Sequence, residues 1–214
     1  MLLTRFLIVY NTFVISLANS GSGKHQQSAR DILPHTLALC QSYNWDIKLF
    51  NAVDGYKLNE SAWEKYQLTC PQKSKNEKKK IGDLPGAQGC FLSHYILWNR
   101  CIELNRPIVV LEDDAEVIAP LEEIATDLDL LKLHQPRASG QSKLGHWSTG
   151  AFAYWISPMG AKKLVEFAKQ NGPMLADKII VSSVLNWGYL TPPIVKLGPR
   201  IGSSTQPEKY PYRY

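Results

Sequence analysis

Three consecutive carboxylates are the residues whose types and spacing most directly suggest chemistry. Glu112, Asp113 and Asp114 come directly after the apolar run 108–111. In open α/β sheets, ligands bind at the carboxyl ends of strands. Because adjacent like charges repel, such a cluster favours a cation, and a hard divalent ion takes oxygen ligands that it can share with substrate phosphates. The cluster therefore predicts a site for Mn²⁺ or Mg²⁺ bound to a diphosphate.

The geometry of an extended chain divides these acids between two sides. Side chains alternate along a strand, so Glu112 and Asp114 share one side and Asp113 takes the other. Glu112 and Asp114 are the predicted metal ligands, and the metal would neutralise charge that develops on a leaving nucleotide. The alternative is that Asp114 caps a following helix while the other two acids are solvated. These residues alone do not decide between the two.

The strand before the acids belongs to a pattern of alternating strands and helices. Short apolar runs bounded by turn residues predict strands, and apolar residues at helical spacing predict helices. The expected strands cover 13–17, 47–50, 108–111, 151–156 and an edge element at 194–197. The expected helices cover 25–43, 89–104, 121–133, 161–169 and 177–185, and the polar stretch 56–88 is expected to be an irregular loop. This order predicts an α/β layered fold in one domain, 13–205, with an extension over 1–12 and an irregular tail over 206–214.

The net charge of +5 is concentrated in one short stretch. Five lysines and one glutamate within 73–80 contribute 5 − 1 = +4 of it, and the rest of the chain is nearly neutral. That distribution argues against a nucleic-acid-binding surface, which needs basic residues spread over one face. Together with Arg213 in the tail, these lysines could instead dock the protein on an anionic membrane or on phosphate groups.

Cysteine usage and the N-terminal residues indicate the compartment. The four cysteines show no zinc-ligand spacing, and a chain of 214 residues does not need a disulfide framework, so reduced thiols in a cytoplasmic protein are expected. The apolar run within residues 1–17 weakly resembles a secretory signal, but Asn11 and Thr12 interrupt it and it is too short to span a bilayer. A buried first strand is the favoured interpretation.

Two other motifs are weaker than they look. The sequence Gly21-Ser-Gly-Lys24 lacks the first glycine and the final hydroxyl residue of a P-loop, because Ala18 and His25 occupy those positions. His94 lies on an apolar face of the expected helix 89–104, where a core histidine with satisfied ring nitrogens is the favoured interpretation.

Taken in order, several segments resemble those of glycosyltransferase family 25, the lipopolysaccharide and lipooligosaccharide biosynthesis transferases. The resemblance covers about 13–200, and the pairing of Gly-Cys-x-x-Ser-His with Leu-Glu-Asp-Asp is its most specific part. The segments are Phe13-Val-Ile-Ser-Leu-Ala-Asn-Ser20, Phe50-Asn-Ala-Val-Asp-Gly55, Gly89-Cys-Phe-Leu-Ser-His94 with Trp98, Ile108-Val-Val-Leu-Glu-Asp-Asp114, Gly150-Ala-Phe-Ala-Tyr154 and Gly160-Ala-Lys-Lys-Leu164. One departure is Gly86-Ala-Gln-Gly-Cys90, where such proteins often have Gly-Glu-Ile-Gly-Cys.

The resemblance implies a GT-A-like α/β fold with a mixed, mostly parallel sheet flanked by helices. It implies a UDP-sugar donor, often UDP-galactose, transfer with inversion, and a divalent metal at the acidic cluster. It also implies that the first strand and the turn after the second lie near the nucleotide. The residues expected to contact the nucleotide are Ser16, Leu17, Val53, Asp54, Gly55, Ser93 and Asp113.

The resemblance implies a single acidic residue for binding or activating the acceptor. An Asp at the start of a late helix in the family pattern corresponds to Asp177, the expected general base or acceptor-binding group, although an ordinary acid at a helix N-terminus remains open. Trp147, Trp155 and Trp187 are candidates to stack on sugar rings.

The implied acceptor is a lipid-linked oligosaccharide at the cytoplasmic face of the inner membrane. The alternatives are a non-catalytic carbohydrate-binding protein and a nucleotidyltransferase.

Overall fold

The computed structural model of the protein describes residues 10–71 and 81–198. Most of the expected extension 1–12, the whole lysine-rich stretch 73–80 and the tail from 199 onward lie outside the described residues. The docking prediction for residues 73–80 and Arg213 therefore falls outside them too. In the described part of the chain, no helix is both long and apolar enough to cross a bilayer.

Strands and helices alternate along the first half of the chain and are less regular in the second. The strands are β1 Asn11–Ser16, β2 Ile47–Asn51, β3 Ile108–Glu112, β4 Ala115–Val117, β5 Leu130–Lys132, β6 Ser139–Ser142, β7 Gly145–Ser148, β8 Ala153–Ile156, β9 Trp187–Tyr189 and β10 Val195–Leu197. The helices are α1 Gly23–Ser42, α2 Glu60–Glu64, α3 Pro85–Leu104, α4 Pro158–Asn171 and α5 Ala176–Ile179, with 3₁₀ turns at Gly55–Lys57 and Ile81–Asp83. The first strand begins at Asn11, inside the stretch expected to be an extension.

A six-stranded sheet in the order β2-β1-β3-β8-β5-β9 forms the centre of the fold. The pairs β1·β2, β1·β3 and β5·β9 are parallel, whereas β8 is antiparallel to both β3 and β5. Five strands thus run one way and their carboxyl ends meet at one edge. The predicted α/β class, with a mixed, mostly parallel sheet flanked by helices, is confirmed.

Both faces of the sheet are covered, which explains the continuous apolar run in β3. Val109 and Leu111 belong to the core on the α1 side, and Ile108 and Val110 to the core on the side of α3 and α4. All four side chains are fully buried. A strand that is buried on both faces needs an unbroken apolar run, and such a strand delivers the three acids directly to the sheet edge.

The prediction of a helix over 121–133 is wrong. Residues 120–128 are irregular and β5 follows at Leu130–Lys132. The amide of Ile124 donates to the Tyr10 hydroxyl and that of Leu128 to the Thr126 hydroxyl, so these amides are not available to a helical ladder. The apolar side chains still pack on the α1-side core, and this tertiary packing overrides local helical spacing.

The prediction of a long helix over 177–185 is also wrong, because α5 ends at Ile179. The chain beyond it pairs with β7 instead. Val181 forms a bridge with Trp147, and the Ser182 amide donates to the His146 carbonyl. These partners lie far back in the sequence, so local periodicity did not reveal them.

Candidate active site

The carboxyl ends of the parallel strands bring the predicted acids to one edge of the sheet. In the register of β1 and β3, Ile15 pairs with Glu112, so Ser16 lies beside the acidic cluster. In the register of β1 and β2, Ser16 pairs with Asn51, which leads into the predicted nucleotide turn. The sheet therefore places the loops after β1, β2 and β3 side by side.

Glu112 and Asp113 have different surroundings. Glu112 faces α3, where its Oε1 lies 3.2 Å from His94 Nε2 and 3.9 Å from Cys90 Sγ. Asp113 follows Glu112 beside the end of β1, near Ser16. Burial raises the pKa of Asp113 to about 6, the Ser16 hydroxyl opposes that rise, and the Glu112 charge adds to it. Neighbouring acids thus have separate partners, as expected for alternating side chains.

The acids on the α3 side converge around one thiol. Burial raises the pKa of Cys90 well above its usual range, and the charges of Glu112, Asp177 and Asp114 raise it further. All three carboxylates therefore contribute to the electrostatic environment of this sulfur. Glu112 contacts the sulfur directly, and Asp114 follows two residues later at the same strand end. Asp177 is in the first turn of the short helix α5, which packs against α3.

This donor set fits a hard divalent cation. Carboxylate oxygens are the ligands that Mn²⁺ and Mg²⁺ prefer, and Glu112 and Asp114 would supply them. Atoms of Cys90, His94 and Glu112 also lie within 4.8 Å of one another, a grouping that could suit a softer ion. Both ring nitrogens of His94 are already in hydrogen bonds, and the raised pKa of Cys90 disfavours a thiolate ligand. The oxygen ligands are therefore the better match.

The loops after β1 and β2 are joined into one unit. The Ser20 hydroxyl donates to the Ala52 carbonyl at 2.6 Å, and the Ser22 hydroxyl donates to Asp54 Oδ2 at 2.6 Å. Leu17 closes a turn, because its carbonyl accepts the Gly21 amide at 2.8 Å. The predicted nucleotide residues of both loops thus lie together at the carboxyl edge of the sheet.

Ser93 supports this edge from inside the protein. It is fully buried; its hydroxyl accepts the Val53 amide at 2.8 Å and donates to the Gly89 carbonyl at 2.7 Å. The observed hydrogen bonds of Ser93 are therefore to the loop after β2 and to its own helix α3 rather than to the surface. Its predicted contact with the nucleotide stays a prediction, as do those of Ser16, Leu17 and the turn Val53–Gly55.

Comparison with known proteins decides the family. A sequence model described as "Glycosyltransferase family 25 (LPS biosynthesis protein)" matches residues 10–149, more than half of the chain. The chain belongs to glycosyltransferase family 25. The resemblance inferred from the sequence is thereby confirmed.

The curated relatives of this family 25 chain are longer proteins. Procollagen galactosyltransferase 1-B of Xenopus laevis is 30% identical over 178 residues, 71% of this chain and 28% of the relative. A putative glycosyltransferase of Haemophilus influenzae is 27% identical over 179 residues, 74% of this chain and 60% of the relative. A solved glycosyltransferase involved in glycosylation of the major capsid of PBCV-1 covers 75% of this chain and 68% of its own, at TM-score 0.39 and 8% identity, a similarity too low to weigh in the fold assignment.

A glycine pair lets the β2 loop approach α3 in this family 25 protein. A Cβ added to Gly55 would overlap the Pro85 carbonyl and lie 2.9 Å from the Gly89 amide. A Cβ on Gly89 would overlap the Val53 carbonyl. Only glycine allows the two backbones to come this close.

We expect Gly55→Ala to lower the free energy of unfolding by about 2 kcal/mol or more, because a methyl group forced against backbone atoms displaces the loop from α3. Urea unfolding measures the loss. The matched control is Gly188→Ala, whose Cβ would meet only the flexible end of Leu128 at 3.0 Å. Equal losses in both variants would contradict the close-approach interpretation.

Lys132 is a site residue that the sequence analysis missed. It is fully buried at the end of β5, and its ammonium donates to the Ser148 carbonyl, the Ser148 hydroxyl and the Gly150 carbonyl at 2.7–3.1 Å. Burial lowers the pKa of Lys132 to about 8, while the Asp177 charge opposes and the Lys178 charge assists that fall. The available signal was a lysine within the otherwise apolar run Leu-Leu-Lys-Leu at 130–133.

The depressed pKa of Lys132 makes stability depend on pH. Between the folded-state pKa of about 8 and the ordinary value of 10.5, the unfolded chain holds a proton that the folded chain has released. Stability from this group therefore rises with pH across that window. We expect the free energy of unfolding of wild type relative to Lys132→Met to rise by about 3 kcal/mol from pH 8 to pH 10.5, measured by urea unfolding. A flat or falling difference would contradict the assignment.

The three candidate tryptophans have different environments. Trp155 is buried in the core, and the Trp147 ring lies 3.5 Å from Lys178 Nζ. Trp187 lines a cavity of about 470 Å³ together with His146 and Tyr189. Its ring stacks on His146 at 5.4 Å, and Lys132 Nζ is 5.3 Å from its centroid. Among the three, Trp187 is the one that lines this cavity.

Proposed function

We propose that this protein is a metal-dependent glycosyltransferase that transfers a hexose, galactose from UDP-galactose, to a saccharide acceptor with inversion at the anomeric carbon. The observation that carries this proposal is the position of Glu112 and Asp114 at the carboxyl edge of a mostly parallel sheet, where the charge of Asp177 also acts on the neighbouring Cys90 thiol. Membership of family 25 and the names of its galactosyltransferase relatives support it.

The donor occupies the side of β1 and β2 in this proposal. The joined loops around Leu17 and Asp54 hold the nucleoside, and the diphosphate lies against Glu112 and Asp114. When bound there, a divalent ion neutralises negative charge on the departing diphosphate. Asp113, near Ser16 at the end of β1, contacts the nucleotide in this proposal.

The acceptor occupies the Asp177 side. Asp177 takes the proton of the acceptor hydroxyl, whose oxygen forms a bond to the anomeric carbon. The bond from that carbon to the diphosphate breaks, and UDP leaves with the electron pair. In this proposal the Trp187 cavity belongs to the same side. The Asp177 charge raises the pKa of Lys132, and the ammonium of Lys132 approaches the Trp187 ring. A further sugar of the acceptor would stack there.

The proposed acceptor is a lipid-linked oligosaccharide of lipopolysaccharide type at the cytoplasmic face of the inner membrane. The family description names lipopolysaccharide biosynthesis and supports this choice, whereas the Xenopus relatives are named for procollagen. Peripheral binding through the lysines of 73–80 would weaken with salt. Binding to anionic vesicles that ignores salt would remove the membrane part of the proposal.

A donor screen with Mn²⁺ tests the proposal. Purified protein is incubated with several nucleotide sugars and saccharide acceptors, and release of free UDP is measured. We expect acceptor-dependent UDP release with UDP-galactose. Pyrophosphate release from UTP would favour a nucleotidyltransferase, and saccharide binding without turnover would favour a carbohydrate-binding protein.

A further inference from the structure

A chain of hydrogen bonds runs from the core to the acidic cluster. Trp98 Nε1 lies 2.9 Å from the Tyr154 hydroxyl, and that hydroxyl lies 2.9 Å from His94 Nδ1. His94 Nε2 lies 3.2 Å from Glu112 Oε1. Trp98, Tyr154 and His94 are all fully buried, whereas the Glu112 side chain keeps 29% of its surface exposed. This chain of hydrogen bonds therefore links the buried indole N–H of Trp98 to a carboxylate that a ligand can reach.

The direction of these bonds follows from the chemistry of their members. An indole N–H can only donate, so the Tyr154 oxygen accepts from Trp98 and its own hydrogen is left for His94 Nδ1. Burial raises the pKa of Tyr154 well above its usual range, which keeps that hydrogen in place. An imidazole that accepts at Nδ1 carries its proton at Nε2. His94 therefore donates to Glu112.

Packing holds the imidazole in this orientation. The rings of His94 and Tyr154 stack with centroids 5.7 Å apart, and Trp98 lies against the same imidazole at 6.4 Å. His94 and Cys90 both contact Oε1 of Glu112, and no described residue hydrogen-bonds Oε2. One carboxylate oxygen is thus fixed while the other is left for a ligand.

We propose that His94 is a positioning residue whose Nε2 donates to Glu112 and holds it so that its second oxygen meets the divalent cation. This role rests on the proposed function, since it assigns Glu112 to the cation. It also makes His94 a donor to the carboxylate rather than a metal ligand of its own. A donor that hydrogen-bonds to a metal-binding side chain orients that side chain, and its removal typically changes metal affinity by about 10- to 100-fold.

A matched pair of variants separates the hydrogen bond from packing. His94→Gln keeps an N–H at the distance of Nε2, and His94→Met is nearly isosteric with it but has no donor. Mn²⁺ binding in the presence of UDP is measured by water-proton relaxation, with a thermal unfolding midpoint for each variant. We expect the Gln variant to stay within about threefold of wild type and the Met variant to bind Mn²⁺ about tenfold more weakly or worse. Equal losses in two folded variants would overturn the proposal.

The protonation state gives a second readout that does not depend on activity. Long-range ¹H–¹⁵N spectra of wild type labelled on histidine nitrogens report the tautomer, and the His94 signal is the one missing in His94→Gln or, if that variant does not fold, the one that shifts most on Tyr154→Phe. We expect a proton on Nε2 alone at neutral pH. A proton on Nδ1, or on both nitrogens, would overturn the proposal. A wild-type protein that binds no Mn²⁺ while showing the Nε2 tautomer would instead overturn the proposed function and with it the role given to Glu112.

Discussion

Replacing Asp114 by asparagine is expected to lower the rate of UDP release by about a thousandfold. The substitution keeps the shape of the side chain and removes one of the negative charges that would bind the cation. Electrostatic stabilisation of the leaving diphosphate by a cation is worth several kcal/mol, and each 1.36 kcal/mol changes the rate tenfold. Initial rates at saturating UDP-sugar and varied Mn²⁺ measure the loss, and Glu112→Gln should behave in the same way.

The matched control is Glu103→Gln on the exposed side of α3. Glu103 forms a surface pair with Arg100, and such pairs contribute little. We expect its rate to equal that of wild type. A turnover rate in Asp114→Asn within about threefold of wild type would show that this carboxylate does not serve the reaction.

Asp177→Asn carries the second large expected effect. Loss of a general base typically lowers kcat by about 10²–10⁴-fold. Because Asp177 acts on the acceptor hydroxyl in the proposed mechanism, binding of Mn²⁺ and UDP should stay unchanged while kcat falls. Steady-state kinetics with the acceptor, together with Mn²⁺ and UDP titrations, measure both quantities.

The exposed Asp127→Asn provides the control for loss of a carboxylate elsewhere. If Asp177→Asn keeps the wild-type kcat, another group removes the proton. If it instead weakens UDP binding in proportion to the rate, Asp177 belongs to the donor side and the assignment of the two halves of the site is wrong.

The sequence predicted the elements whose signal is local. The run 108–111 is apolar throughout because both of its faces are buried, and α3 shows a wide apolar face because both the sheet and α4 lie nearby. The expected helices over 121–133 and 177–185 failed for the opposite reason. Their amides bond to residues distant in sequence, such as Tyr10 and His146, which periodicity does not report.

The site was predictable only in part for the same reason. Glu112, Asp113 and Asp114 are adjacent in the chain, so their clustering is visible in the sequence. The convergence of Asp177 with them depends on how α5 packs against α3, and it was suggested by the family pattern alone. Lys132 also depends on packing, since its three acceptors belong to residues 148 and 150.

His94 shows how a correct interpretation can be incomplete. The sequence favoured a core histidine with satisfied ring nitrogens, and the structure shows a fully buried imidazole with both nitrogens in hydrogen bonds. One of those bonds leads to Glu112, a connection that requires the pairing of β3 with β8 to bring Tyr154 beneath α3. The same residue therefore packs in the core and contacts the acidic cluster.

Mutual binding of Mn²⁺ and UDP tests the central claim most directly. If Glu112 and Asp114 hold a cation on the diphosphate, each ligand must strengthen binding of the other by the same factor. Calorimetric titration of UDP into wild type, with Mn²⁺ and with a chelator, measures that factor. We expect UDP to bind at least about tenfold more tightly with Mn²⁺ and the enhancement to vanish in Asp114→Asn. UDP affinity that is the same with Mn²⁺ and with the chelator would contradict the account.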